Sequence, residues 1–279
     1  MPLVSPFALK SALAGGGRFL VDGAMGTELM AQGVPPNGVL VANRECPEKV
    51  LAIHERYLQA GARILTANTF GYRDNKPLAE YVRMGALLAE QSAHYSVRPA
   101  CVWLSLTTSF IRNERKAIPS LVRHRAILIE TCTSLAHAVE AVEIVGAARP
   151  AFLAVSFHFT SGGVIPDGSG VDEVIREIAP LNLDALGVNC GDSPESFIRV
   201  LARLRMTTDC PLIVQPSAGV PPRNREGERF QYPVQPDRLA AAAKTYLDLG
   251  ARFVGGCCGT TPAHIRAIYD ICFREANKP

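Results

Sequence analysis

Cysteine carries the most distinctive chemistry in this sequence of 279 residues. Cysteines stand at positions 46, 101, 132, 190, 210, 257, 258 and 272, and two of them, Cys257 and Cys258, are adjacent within the run GGCCG. Thiolates are soft donors suited to zinc, and three of them leave a tetrahedral ion one open position for water or substrate. The adjacent pair alone suits metal or redox chemistry; Cys190, closing the run ALGVNC, adds a third sulfur and turns the reading to zinc. Consecutive strand residues point to opposite faces, so both members of the pair can reach one ion only where the chain leaves β geometry. Gly255, Gly256 and Gly259 permit that. The other five, Cys46, Cys101, Cys132, Cys210 and Cys272, are expected to fill the core as small apolar thiols. Zinc with three thiolates carries a net charge of about −1, which makes it a weak generator of hydroxide. It suits instead the deprotonation of a substrate thiol, which leaves a nucleophilic sulfur for alkyl transfer.

Eight short apolar runs must bring these sulfurs together. They are FLVDGAM (19–25), ARILTANTF (62–70), CVWLSLTT (101–108), AILIETC (126–132), AFLAVSFHF (151–159), ALGVNC (185–190), PLIVQPSA (211–218) and RFVGGCCG (252–259). Most are almost continuously apolar, as parallel strands covered on both faces are. Between them lie segments of helical period with their own punctuation. Pro47 opens PEKVLAIHERYLQA and Gly61 follows it; Ser193 and Pro194 open SPESFIRVLARL; Gly250 follows DRLAAAAKTYLDL; Thr261 and Pro262 open TPAHIRAIYDICF. The alternation predicts an α/β fold, a single TIM-type (β/α)8 barrel over residues 1–279. Two segments depart from the ideal. Residues 109–125, SFIRNERKAIPSLVRHR, form a shortened crossover between strands 3 and 4 that Pro119 interrupts, so the helix there is expected to be short, irregular or absent. A missing helix would leave apolar strand surface for a partner or a second subunit of a homo-oligomer to cover. Residues 219–236, GVPPRNREGERFQYPVQP, are expected to form a functional or lid loop.

A barrel of this type holds its active site at the C-terminal ends of its strands. Asp22 and Gly23 end the first run, Asn68 and Thr69 the second, Glu130 and Thr131 the fourth, Asn189 and Cys190 the sixth, and Cys257 and Cys258 the eighth. Cys190, Cys257 and Cys258 are therefore the candidate metal and catalytic residues. Asp22, Gly23, Asn68, Thr69, Glu130 and Asn189 are the candidates for holding substrate. Asp22 or Glu130 could pair with the ammonium of an amino acid, or serve as an N-cap or core hydrogen-bonding group. The backbone of VDGAMGTEL, near a helix start, could receive a carboxylate. His158 is read as a hydrogen-bonded or loop residue rather than a ligand, Trp103 as core, and GGG at 15–17 as a turn.

Composition narrows the partners. Lys and Arg number 29 against 26 Asp and Glu, a formal net charge of +3 with no polybasic run, which argues against nucleic acid or a membrane surface. With 48% hydrophobic and 20% charged residues the chain can bury a large core. No signal-peptide pattern or run of eighteen apolar residues is seen, so a cytoplasmic protein is expected.

Six motifs together resemble the homocysteine S-methyltransferases, the family that includes the homocysteine domain of cobalamin-dependent methionine synthase and the betaine and S-methylmethionine enzymes. They are VDGAMGTEL (21–29), ILTANTFG (64–71), LIETCTSLAHAVEAV (128–142), LDALGVNC (183–190), VQPSAG (214–219) and GARFVGGCCGTTPAHIRAI (250–268). The resemblance implies a (β/α)8 barrel with zinc on Cys190, Cys257 and Cys258, and homocysteine's amino-acid part on Asp22, Gly23 and Glu130. It also implies transfer of a methyl group from an activated donor to the zinc-bound thiolate, giving methionine. Two departures stand out: SLTTSF (105–110) replaces a Gly-Pro motif on the donor side, and Ser217 takes the Asn position of a PNAG motif, a polar site that in some members of the family approaches the metal. A cobalamin donor would have to come from a separate corrinoid protein. Transfer to or from another thiol or thioether, and a non-catalytic barrel binding zinc or a metabolite, are the alternative readings.

Overall fold

The computed structural model describes residues 5–71, 78–98, 100–222 and 230–274. Its strands are β1 (Phe19–Leu20), β2 (Ile64–Thr66), β3 (Cys101–Leu106), β4 (Ala126–Cys132), β5 (Phe152–Phe157), β6 (Ala185–Cys190), β7 (Leu212–Pro216) and β8 (Ala251–Val254). Its α-helices are α1 (Pro6–Ala14), α2 (Met25–Ala31), α3 (Ala42–Glu45), α4 (Pro47–Ala60), α5 (Leu78–His94) and α6 (Thr108–Asn113), then α7 (Ile118–Val122), α8 (Leu135–Ala147), α9 (Val171–Ile178), α10 (Ser196–Thr207), α11 (Pro236–Asp248) and α12 (Pro262–Cys272). The strands pair in parallel in chain order, with β8 against β1. Between β1 and β2 the ring is closed by a bridge from Val21 to Ile64 and by hydrogen bonds from Asp22 N to Ile64 O (3.0 Å) and Arg63 N to Leu20 O (2.8 Å). The fold is the expected (β/α)8 barrel.

Local chemistry accounts for the helix boundaries. Pro47 is the first residue of α4, and Gly61, at φ +117°, ends it in the left-handed region that favours glycine. Thr261 caps α12, with Pro262 at its first position. Helix α10 begins at Ser196, after a turn in which Ser193 Oγ accepts from Ser196 N, and so starts later than Ser193 and Pro194 suggest.

The crossover between β3 and β4 is short but filled. Thr107 caps α6 by accepting from Phe110 N at 3.0 Å. Pro119 lies in the first turn of α7, where a missing N–H breaks no helical bond, so it opens a second helix rather than destroying the only one. Phe110, Ile111, Ile118, Leu121 and Val122 are all buried. The expected bare strand surface is thus covered from within the chain.

Side chains on the inner face of the barrel repeat every second residue. A lower layer holds Ile64, Trp103, Leu128, Phe152, Ala154, Ala185, Ile213 and Phe253, all buried. Trp103, Phe152 and Phe253 form an aromatic trio, with ring centroids 5.0 Å apart for Trp103 and Phe253 and 6.2 Å for Trp103 and Phe152. Helix α1, capped by Ser5 and begun by Pro6, inserts Leu9 into this layer from below. Further along the same strands, two residues on in β3, β4, β5 and β7 and four on in β6, the inward positions turn polar: Ser105, Glu130, Ser156, Gln215 and Asn189. Among the described residues, no helix is long and apolar enough to cross a membrane.

Candidate metal centre

The polar end of the barrel carries the three cysteines. Cys190 ends β6 with φ +63°, a left-handed backbone that costs a non-glycine residue roughly 1–2 kcal/mol. Strand β8 stops at Val254, so Cys257 and Cys258 lie beyond it, free of the strand's alternation. The end of β7 is the template for both segments: Ser217 N donates to Cys190 O, Cys257 N to Pro216 O and Ala218 N to Cys258 O, each at 2.8 Å. A Cβ at Gly256 would lie 2.4 Å from Thr260 Oγ1, so only glycine lets the chain turn this tightly. Gly259, at φ +77°, packs directly under the Tyr232 ring.

The sulfurs converge. Cys190 Sγ lies 3.1 Å from Cys257 Sγ and Cys257 Sγ lies 3.9 Å from Cys258 Sγ, with all three within 4.8 Å of one another. A tetrahedral ion with Zn–S bonds of about 2.3 Å requires sulfur–sulfur edges of about 3.8 Å, which these distances bracket. Like charges so close cannot all ionise unaided. Contacts with Cys190 and Cys257 hold the Cys258 thiol well below its usual range, while contacts with Cys190 and Cys258, and burial, push Cys257 up. A divalent cation would relieve that conflict, so the donor set fits zinc in both geometry and charge. The Ser217 side chain adds to the lowering of the Cys258 thiol.

A polar network lies alongside. Asn189, fully buried, accepts at Oδ1 from Ser156 Oγ (2.7 Å) and Thr131 N (3.1 Å). Its Nδ2 donates to Thr131 Oγ1 (2.7 Å) and Glu130 Oε1 (3.4 Å) and lies 3.9 Å from Cys257 Sγ. Ser105 Oγ donates to Glu130 Oε2 at 2.5 Å. Burial pushes the Glu130 carboxyl up to about 7 against that hydrogen bond, and the charge of Cys258 adds to the rise. Asp22, also buried, accepts from Thr66 N at Oδ2 (2.8 Å), while its Oδ1 has no hydrogen-bond partner. Gln215 Oε1 is likewise buried and unpartnered. Such atoms are few in folded proteins, and these two leave acceptors free beside the network.

The remaining candidates are placed differently. Gly23 is packed between β1 and the loop after β8, where a Cβ would lie 2.6 Å from Thr260 Oγ1 and 2.9 Å from the Tyr57 hydroxyl. Asn68 Nδ2 donates to Val39 O (2.8 Å) and Asn43 Oδ1 (2.9 Å), and Thr69 Oγ1 donates to Ser105 O (2.5 Å). Those groups brace the loop after β2, and the amide N–H and hydroxyl they would offer a substrate are already engaged. His158 Nδ1 accepts from Gly191 N (3.3 Å), and Trp103 belongs to the lower core.

Ser105, Ser156 and Tyr232 were not among the sequence candidates. Counting inward positions two at a time from Trp103 and Ala154 finds the serines. Tyr232, whose hydroxyl is pushed up to about 12 by burial and by the cysteine charges, sits in the segment expected to be a lid; residues 223–229 of that segment lie outside the described residues.

The sequence profile of the homocysteine S-methyltransferase family matches residues 19–113 and 115–272. The chain is 29% identical to methionine synthase of Mycobacterium leprae over 88% of its own length, and spans 24% of that protein. It is 27% identical to homocysteine S-methyltransferase 1 of Arabidopsis thaliana over 91% of its length and 93% of that protein's. Among solved structures, it is similar to the apo form of the homocysteine methyltransferase MmuM of Escherichia coli, with a TM-score of 0.75 and 24% identity over 94% of this chain and 99% of that one.

Proposed function

The chain belongs to the homocysteine S-methyltransferase family, and from that premise we propose that it transfers a methyl group to the sulfur of homocysteine with zinc held by Cys190, Cys257 and Cys258. The observation that carries this reading is the convergence of three sulfurs within 4.8 Å beside a buried acidic network. When bound, zinc would lower the pKa of the substrate thiol and keep it nucleophilic near neutral pH. Asp22, through its unpartnered Oδ1, and Glu130 receive the ammonium. Gly23 brings the backbone after β1 close enough to meet the carboxylate. Asn189 positions Glu130 and Cys257 relative to each other. Asn68 and Thr69 act through the loop that closes this wall. A bond forms between the homocysteine sulfur and the methyl carbon; the donor–methyl bond breaks with its electrons staying on the donor, and the thiol proton passes to solvent.

The donor is an activated methyl compound, either a small onium compound or a methylcorrinoid carried by another protein. Burial of the side chains of α6 and α7 removes the bare strand surface that would favour a non-catalytic, partner-dependent barrel. The test is to supply zinc-loaded protein and homocysteine with S-methylmethionine, S-adenosylmethionine, betaine or methylcobalamin separately and to measure methionine. Methionine from at least one donor, lost together with zinc in Cys258→Ala, is expected. No methionine from any donor, with zinc retained in the variant, contradicts the reading. Other thiols offered in competition test the acceptor.

A further inference from the structure

A cavity of about 760 Å³ lies at the opposite end of the barrel, between the C-terminal ends of α4 and α5 and the second half of α12. Arg63 and Arg98 reach it from just before β2 and β3, and Arg266 and Arg274 from α12 and the turn after it. A smaller hollow of about 210 Å³ adjoins it, sharing Gly61, Arg63 and Tyr269. The acidic residues in the larger lining are Glu55 and Asp270, so positive charge is in excess. Among the described residues, none of these four arginines forms an ion pair. The partners they do have are neutral. Arg98 Nη1 donates to the Tyr269 hydroxyl at 2.9 Å, and the guanidinium groups of Arg98 and Arg266 stand 5.9 and 5.7 Å from the centre of the Tyr269 ring. Arg63 is held down to about 10 by its burial and then by repulsion from Arg98.

Four guanidinium groups against two carboxylates, none of them ion-paired among the described residues, are poorly compensated, and an anion among them would gain charge-assisted hydrogen bonds from several at once. One carboxylate could answer only one fork. A diphosphate presents several oxygens and more than one negative charge, and the cavity volume is that of a small-molecule site. Tyr95, 78% exposed on the rim, offers a ring face beside it. We propose that this cavity binds a diphosphate-bearing small molecule of nucleotide size through Arg63, Arg98, Arg266 and Arg274. Because these residues stand at the N-terminal ends of the strands and the cysteines at the C-terminal ends, the occupant does not compete with the methyl-transfer substrates.

Isothermal titration of the zinc-loaded full chain with inorganic pyrophosphate, and separately with ADP, at low salt tests this. One saturable site is expected for both probes, weakening as salt rises. Affinity should fall by about tenfold or more in Arg63→Gln and in the surface variant Arg266→Gln/Arg274→Gln, and stay as in the parent in Cys258→Ser, which separates the site from the metal centre. Tighter binding of ADP assigns the Tyr95 face to a base; equal binding assigns recognition to the diphosphate itself. The proposal is overturned if neither probe saturates, if affinity survives both arginine variants, or if it is lost in Cys258→Ser.

Discussion

At the end of β6 two adjacent residues divide the site between them: Cys190 presents its sulfur, and Asn189 joins the carboxyl and hydroxyl groups of β4 and β5 beside it. Removing the amide in Asn189→Ala leaves Ser156 Oγ and Thr131 N without their acceptor and Glu130 without one donor. Loss of such outer support around a metal weakens metal affinity or activity by about 10–100-fold; zinc retention against a chelator should show it, with the fold intact by circular dichroism. Glu130 gives a pH prediction. Its carboxyl is raised to about 7 by burial, so the fold favours the protonated form; the stability this contributes is present at low pH and is lost as pH rises from the usual carboxylate range through about 7. An ammonium favours the ionised form, so methionine, which has no thiol to titrate, should bind more weakly as pH falls below about 7. Titration at successive pH values should show this slope in the parent and little of it in Glu130→Gln; an equal slope in both would remove Glu130 from the site. The cysteines and both carboxyl groups were legible because an adjacent cysteine pair is rare and acids ending apolar runs stand out. Ser105 and Ser156 were not, because a serine inside an apolar run draws notice only when inward positions are counted.

Among the elements, the loop after β8 is tightly constrained. Gly259 combines a left-handed backbone with the Tyr232 ring where a side chain would go. Gly259→Ala should therefore lower the unfolding free energy by about 1–3 kcal/mol and displace Tyr232; urea unfolding measures the first, and a shift of the Tyr232 phenol titration reports the second. The glycines around Cys257 and Cys258 were read as permission to leave strand geometry, and the strand does end before the pair. Their tight packing was not readable: Gly256 meets Thr260 only because the chain folds back within four residues, and Gly259 meets Tyr232, which is distant in the chain. The crossover at 109–125 shows the same division. Its shortness was visible in the sequence, but whether Pro119 ends a helix or begins one depended on where the turn fell.

For the whole molecule, eight apolar runs alternating with helical segments were enough to predict the barrel, since parallel strands covered on both faces leave a strong apolar signal. The plug beneath it was missed. Residues 5–14 carry no strand-like or strongly periodic signal, although Ser5 and Pro6 form an N-cap and first position that start α1. Leu9 lies within the barrel's lower layer at 0% exposure, so Leu9→Ala should cost about 2–5 kcal/mol, read as a lower urea midpoint at unchanged slope. A loss below about 0.5 kcal/mol would place α1 outside the cooperative fold. The barrel brings strands β6 and β8 together at one end, and sulfur chemistry there is the central claim. Zinc-edge X-ray absorption on the loaded protein, before and after addition of homocysteine, tests it most directly. A sulfur count rising from about three to about four is predicted; a zinc shell dominated by nitrogen or oxygen, or one that homocysteine leaves unchanged, would contradict Cys190, Cys257 and Cys258 as the set that activates the substrate thiol.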